Sequence, residues 1–347
     1  MVIERTVSGH RLFYVRILLD YLVSKGNDVL FVTIEGGLSS PEAKLHLSGL
    51  NSACSRSEVA SLEIEEIENI SRSAGALLTV VPDGDWLLKS LAKRRGWRGV
   101  GKLKFLVMRE DAQSKSPLAK AIGSGAKRAV VRLVNQLPRV DAITLKSAVW
   151  SGRQRNVARD PVTQLASVDD VQSVRDDFGL SPDRYWFAIV GAITSRKNLP
   201  LVASAISRFG NEHVGFLIAG LCAKDELEKA QEFMSRLRDN SADVVLVNRL
   251  LTDIEIDAIV GAADCLVLAH SNEGPSGLFG KAANSGTRVV TAGAESLRRD
   301  SAFVPQLASW VPLNVDSLSA ALKSAMELPT PNPVEGLSAT DFARALS

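Results

Sequence analysis

Two stretches of the sequence collect residue types that recognise phosphate and sugar. The first is Ala192-Ile193-Thr194-Ser195-Arg196-Lys197-Asn198, which follows the apolar run Trp186–Gly191. Its two adjacent cations precede a helix-forming segment whose first backbone amides lack internal partners and sit at the positive end of the helix dipole. Dipole, amides and two charge-assisted donors together suit a diphosphate. In an ordinary loop the same pair would simply be solvated. The second stretch is Ala269-His270-Ser271-Asn272-Glu273-Gly274-Pro275-Ser276-Gly277, which follows Cys265–Leu268. Gly274 and Gly277 allow close backbone approach, and Ser276 is a natural N-cap for a following helix. The Glu273 carboxylate could accept hydrogen bonds from two sugar hydroxyls. A tight turn with a solvent-facing Glu273 is the alternative.

The elements that must position these loops can be read from hydrophobic periodicity. In the second half, apolar runs at Trp186–Gly191, Gly215–Ala219, Val244–Val247, Cys265–Leu268 and Arg288–Thr291 alternate with helical segments at Leu199–Phe209, Lys224–Arg238, Asp253–Ala263 and Gly277–Ser285. Strands without polar alternation, separated by helices, predict a parallel doubly wound sheet covered on both faces. The first half predicts a second such sheet, with a short strand at Val2–Thr6, a helix at Arg11–Lys25 ended by Gly26-Asn27, and strands at Val29–Thr33, Leu77–Pro82, Leu103–Met108 and Ala142–Leu145. In open sheets of this kind ligands bind beyond the carboxyl ends of the strands, where both loops lie. The expected organisation is an α/β chain with Rossmann-like domains over 1–160 and 161–330, a polar linker over Arg153–Ser167, and a tail over 331–347 whose helix, Ala339–Leu346, could return to the N-terminal domain.

Composition narrows the classes. The 347 residues are 46% hydrophobic and 23% charged, which excludes disordered and fibrous architectures. No apolar run reaches the length of a membrane span, and the first residues have no signal-peptide core. Three scattered cysteines (Cys54, Cys222, Cys265) and four unpaired histidines give no disulfide framework and no zinc pattern. A reduced, cytoplasmic protein is expected. There is no GxGxxG after the first strand, no GxxxxGK[ST], no GxSxG and no kinase motif set, so dinucleotide oxidoreductases, P-loop NTPases and serine hydrolases are unsupported.

The residues at 190–206, VGAITSRKNLPLVASAI, and at 263–286, ADCLVLAHSNEGPSGLFGKAANSG, resemble the donor half of retaining GT-B glycosyltransferases of the glycosyl-transferase group 1, family 4-like type. Asp160-Pro161-Val162 and Phe178-Gly179-Leu180 are also similar to that family. The resemblance implies two Rossmann-like domains facing a cleft, and transfer of a sugar from a UDP- or GDP-sugar with retention of configuration. It implies that Arg196 and Lys197 hold the donor diphosphate and stabilise its developing charge, so that neither a metal nor a cofactor is needed. Glu273 would face the transferred sugar. Gly191, Asn198, Gly274, Ser276, Gly277 and Leu278 would line the donor phosphates, and Gly9 and His10 of Ser8-Gly9-His10 would face them from the other half. One position departs from the family: a glutamate that binds the nucleotide ribose is usual eight residues after the first, and Lys281 stands there. Lys281 could reach the diphosphate or a ribose oxygen, could pair with a surface acid, or could mark loss of nucleotide binding. The family also often places a histidine at a strand end in the N-terminal half. Here Leu103–Met108 runs into Arg109-Glu110-Asp111, and His46 reads as structural or exposed. A catalytically degenerate binding protein of the same fold and a sugar-nucleotide epimerase are the other functions open to this pattern.

Charge is unevenly divided. Residues 1–160 carry 25 Lys and Arg against 16 Asp and Glu, while 161–347 carry 16 against 23; within 89–139 the ratio is 14 to two. Trp86–Trp97 (WLLKSLAKRRGW) and Ala126–Leu137 (AKRAVVRLVNQL) read as basic amphipathic helices, which suit an anionic membrane surface beside a glycan or lipid-linked acceptor. They also read as ordinary helices packing on a sheet. No nucleic-acid-binding motif accompanies the charge.

Overall fold

The computed structural model describes residues 1–7, 11–50, 54–108, 117–163, 165–274 and 276–347. Its contacts divide the chain into two units: one of Met1–Lys146, Gly152–Pro161 and Ser338–Ser347, the other of Ser147–Ser151 and Val162–Leu337. Each unit is built around one all-parallel sheet.

The first unit contains β1 (Val2–Glu4), α1 (Arg11–Ser24), β2 (Val29–Ile34), α2 (Pro41–His46), β3 (Cys54–Val59), α3 (Ile64–Ser73), β4 (Leu78–Val81), α4 (Leu87–Arg94), β5 (Lys102–Val107), α5 (Pro117–Val134), β6 (Val140–Lys146) and β7 (Val157–Arg159). The strand order is β3-β2-β1-β4-β5-β6-β7. The central strands and the inner faces of α1 and α4 are apolar and buried, as at Leu12, Val15, Leu18, Leu19, Leu87 and Leu91. The two edge strands depart from the sequence expectation. β3 (CSRSEV) exposes four of its six residues, and β7 lies inside the stretch that reads as linker. Neither has an apolar pattern, because both are held by backbone pairing to one inner neighbour, β3 to β2 and β7 to β6.

The second unit contains α6 (Val168–Asp177), β8 (Tyr185–Val190), a 3-10 turn (Ser195–Lys197), α7 (Leu199–Ser207), β9 (Val214–Ala219), α8 (Lys224–Asp239), β10 (Asp243–Val247), α9 (Asp253–Ala262), β11 (Cys265–His270), α10 (Gly277–Ser285), β12 (Arg288–Gly293), α11 (Glu295–Phe303), β13 (Ala308–Val311) and α12 (Val315–Met326). Its strand order is β10-β9-β8-β11-β12-β13. Every residue of β9 and β11 is buried, which is why both read as unbroken apolar runs. Thr252 and Glu255 form a reciprocal capping box that starts α9.

The last helix, α13 (Ala339–Leu346), belongs to the first unit. It buries Phe342, Ala343 and Leu346, and the Phe342 ring lies 5.1 Å from that of Tyr14 on α1. Arg159 of β7 bonds Asp341 at 2.8 Å, and the Tyr14 hydroxyl donates to Asp160 at 2.7 Å. The three cysteines are free and buried. His46 is half-buried with its ring edge-on to Phe13, a packing role.

Candidate functional site

In the second unit the chain leaves β8 to build one side of the sheet and returns at β11 to build the other. The gap beyond the carboxyl ends of β8 and β11 is therefore the topological switch point, where an open α/β sheet receives ligands. Both chemically suggestive loops end there.

The backbone ties them together. The Arg196 carbonyl accepts the Ser271 amide at 3.0 Å and the Asn198 side-chain amide at 3.2 Å; the same Asn198 nitrogen donates to the Ala269 carbonyl at 2.9 Å. Asn198 holds a left-handed conformation (φ 51°), which ends the 3-10 turn and starts α7. Arg196 is exposed, whereas Lys197 is turned inward and only 4% exposed. The Lys197 nitrogen donates to the carbonyl of Val190, the last residue of β8. Gly191 is at φ 90°, and a Cβ there would stand 3.2 Å from the Lys197 nitrogen and 3.9 Å from Leu278. Gly191, Lys197 and Leu278 thus share one small space, and glycine is required both for the turn and for the room. Burial, with the Arg196 charge beside it, brings Lys197 down to about 7.

His270, the last residue of β11, is the functional candidate that sequence reasoning passed over. It is 7% exposed, and its Nε2 has no hydrogen-bond partner among the described residues. Burial, then the charges of Lys197 and Arg196, push it down to about 3, so it is a neutral imidazole. The available signal was its place at the end of a continuous apolar strand opening into a Gly-rich loop.

Glu273 does structural work. Its two carboxylate oxygens accept the amides of Glu295 (3.2 Å) and Ser296 (2.9 Å) at the start of α11, and the Gly274 amide donates to the Ser296 hydroxyl at 3.2 Å. Ala294, at the cap position of α11, has no side chain for this task, so Glu273 caps that helix from a distant loop. Glu273→Ala is expected to cost about 1–2 kcal/mol of stability, with Glu273→Gln losing less, as read by thermal melting. Ser276 occupies the cap position of α10, but its hydroxyl makes no capping bond. The first amides of α10, from Gly277 onward, are of the kind a helix leaves for water or an anion.

Lys281, one turn further along α10, is engaged elsewhere. Its ammonium pairs with Asp257 of α9 and donates to the Thr163 carbonyl at 3.3 Å, while Asp257 accepts the Leu165 amide at 2.7 Å. Of the roles open to Lys281 in the sequence, the structure shows an ion pair, and with a buried acid rather than a surface one. Gly9, His10 and Arg109 lie outside the described residues.

No family model matches the sequence, and no curated protein is found similar to it. Solved structures do match in shape. Sucrose-phosphate synthase from Thermosynechococcus elongatus aligns with a TM-score of 0.65 at 15% identity, covering 99% of this chain and 94% of that one. HepE from Anabaena, solved in complex with UDP, aligns with a TM-score of 0.60 at 12% identity, covering 99% and 93%. WaaG, a glycosyltransferase involved in lipopolysaccharide biosynthesis, aligns with a TM-score of 0.60 at 12% identity, covering 100% and 94%. The chain has the fold these structures share, the GT-B arrangement of two Rossmann-like domains with parallel sheets.

Proposed function

We propose that the protein is a metal-independent glycosyltransferase that moves a hexosyl group from a UDP- or GDP-sugar to a glycan or lipid-linked acceptor, with retention of configuration, in the cytoplasm. The observation that carries this reading is the Arg196–Lys197 turn at the switch point, where a buried amine and an exposed guanidinium stand beside the free end of β8. As the bond from the anomeric carbon to the diphosphate oxygen breaks, negative charge grows on the leaving group. Two cations held in place before the reaction stabilise that charge more than they stabilise the bound donor. Gly191, Asn198, Gly274, Ser276, Gly277 and Leu278 shape the phosphate side of the site. Glu273, held in its loop by the first amides of α11, would offer the remaining lone pairs of its carboxylate to the sugar. HepE, solved with UDP and with UDP-glucose, supports a nucleotide-sugar donor for this fold.

The Lys281–Asp257 pair favours one second reading, a catalytically degenerate binding protein of the same fold, because a Lys281 engaged with Asp257 makes no contact in place of the family's ribose-binding glutamate. A thermal-shift screen with UDP, GDP and their sugars, followed by NMR of the product anomer, separates the two. A ligand at a hundred times its dissociation constant should stabilise by about 2.7 kcal/mol. Transfer predicts a shift with one nucleotide series and a product of the donor's anomeric configuration. A shift without turnover supports the second reading, and no shift with any nucleotide refutes both.

A further inference from the structure

On the face of the first sheet that α1 and α13 cover, the apolar pattern breaks at one register step. Leu106, Ile143, Leu145 and Ala158 lie in the core beneath those helices. Lys104 and Asp141 are register partners on the neighbouring strands β5 and β6, and their side chains leave the sheet on that same face. Both are half-buried. The Lys104 ammonium donates to the main-chain oxygen of Ser347, just past α13, and not to Asp141. Among the described residues the Asp141 carboxylate has neither a hydrogen bond nor an ion pair. Burial lowers the proton affinity of the Lys104 amine and the Asp141 charge partly restores it, so the two charges are within electrostatic reach of each other. A cavity of about 220 Å³ lies against both and is completed by Ile143, Asn156, Val157 and Ala345. Asn156 holds a left-handed conformation (φ 54°), and its carbonyl accepts the Thr144 amide at 2.9 Å, which fixes it at the start of β7.

We infer that this cavity binds a small zwitterion of the amino-acid class, with its ammonium against Asp141 and its carboxylate against Lys104. The lining carries one charge of each sign, beside an amide that can donate or accept. A ligand with a single charge would pair with one of them and face a like charge at the other. An apolar ligand would strip water from both and pair with neither. A polyol would hydrogen-bond to both and neutralise neither, whereas a zwitterion makes a charge-assisted bond at each end. Ile143, Val157 and Ala345 give a short aliphatic side chain an apolar wall. The volume is below the roughly 300–1,000 Å³ of sites for drug-sized molecules, which restricts the ligand to a small one. Lys104 and Asp141 stand in the first halves of their strands, at the opposite end of this sheet from the carboxyl ends where substrates of open sheets bind. Ala345 belongs to α13, so an occupant ties the last turn of that helix to β5, β6 and β7. The inference goes beyond the transfer reading and does not depend on it.

The test is a thermal-shift screen of the full, nucleotide-free chain against the common L-amino acids at millimolar concentration, followed by calorimetry of the strongest. That amino acid should raise the melting temperature by about 2 °C or more at saturation and slow hydrogen exchange of the α13 amides. Its N-acetyl form and its amide form, each lacking one charge, should bind about tenfold more weakly or worse. Asp141→Asn, at a side chain with no bond to lose, should keep the parent melting temperature and lose about tenfold in binding. Lys104→Gln should lose binding to a similar degree. Absence of binding by every amino acid in the screen would overturn the inference, as would parent-like binding by folded Asp141→Asn. So would equal binding of the charge-blocked forms, or tighter binding of a monosaccharide that ignores the Asp141 change. A failed donor screen alongside amino-acid binding leaves this inference standing, and the reverse result leaves the transfer reading standing.

Discussion

Lys197→Met is expected to yield a protein that melts at a higher temperature than the parent and no longer binds a nucleoside diphosphate. The amine is buried and held down to about 7, against an ordinary value of 10.5. Between those two values the unfolded chain carries a proton that the folded chain lacks, so stability rises with pH through that window, and the penalty is complete below 7. At neutral pH the shift corresponds to about 4 kcal/mol. Methionine has a similar length and no charge to desolvate. It gives up the bond to the Val190 carbonyl, worth about 1 kcal/mol, and should still leave a net gain. Such a cost in the turn after β8 is what a residue retained for a ligand would carry. A bound diphosphate would restore the charge: an anion beside the amine raises its proton affinity, so binding near neutral pH should take up a proton and weaken as pH rises above 7. Arg196→Ala, at an exposed position, should cost about tenfold to a hundredfold in binding with no change in melting temperature.

Lys281→Glu is the second large effect, and it should appear in stability. The side chains of Lys281 and Asp257 are 19% and 5% exposed, so the new carboxylate would face a buried carboxylate with no compensating cation. The loss should be about 3–5 kcal/mol, because removing one member of a buried pair leaves the other charge uncompensated. The bond to the Thr163 carbonyl goes as well, which loosens the segment that Asp257 holds through the Leu165 amide. Lys281→Met combined with Asp257→Asn should recover most of the loss, a coupling that a double-mutant cycle by chemical denaturation measures. Protein that remains folded should bind nucleoside diphosphate as the parent does. Selective loss of diphosphate binding by a normally folded Lys281→Met variant would return Lys281 to the donor site.

The fold was legible wherever burial dictates composition. β9 and β11 are covered on both faces and read as apolar runs, and α10 begins and ends where Gly277 and Gly286 place it. β3 and β7 were not legible, since an edge strand needs only one neighbour's backbone and its side chains can be polar. In the site, the adjacency of Arg196 and Lys197 was legible, but their opposite exposure was not: the 3-10 turn and the left-handed Asn198 decide which cation points inward. The anchoring of Glu273 depends on the amides of Glu295 and Ser296, and the pairing of Lys281 depends on Asp257. Both are contacts across more than 20 residues that no local pattern announces.

A nucleoside diphosphate held through Lys197 at the switch point beyond β8 and β11 would show in titration calorimetry of the parent and of Lys197→Met with UDP and GDP, just above neutral pH and in two buffers of different ionisation heat. The parent should bind one of the two with net proton uptake, the corresponding nucleoside should bind without it, and the methionine variant should bind neither diphosphate. Absence of binding by the folded parent, or equal binding by parent and Lys197→Met without proton uptake, would rule this role of Lys197 out.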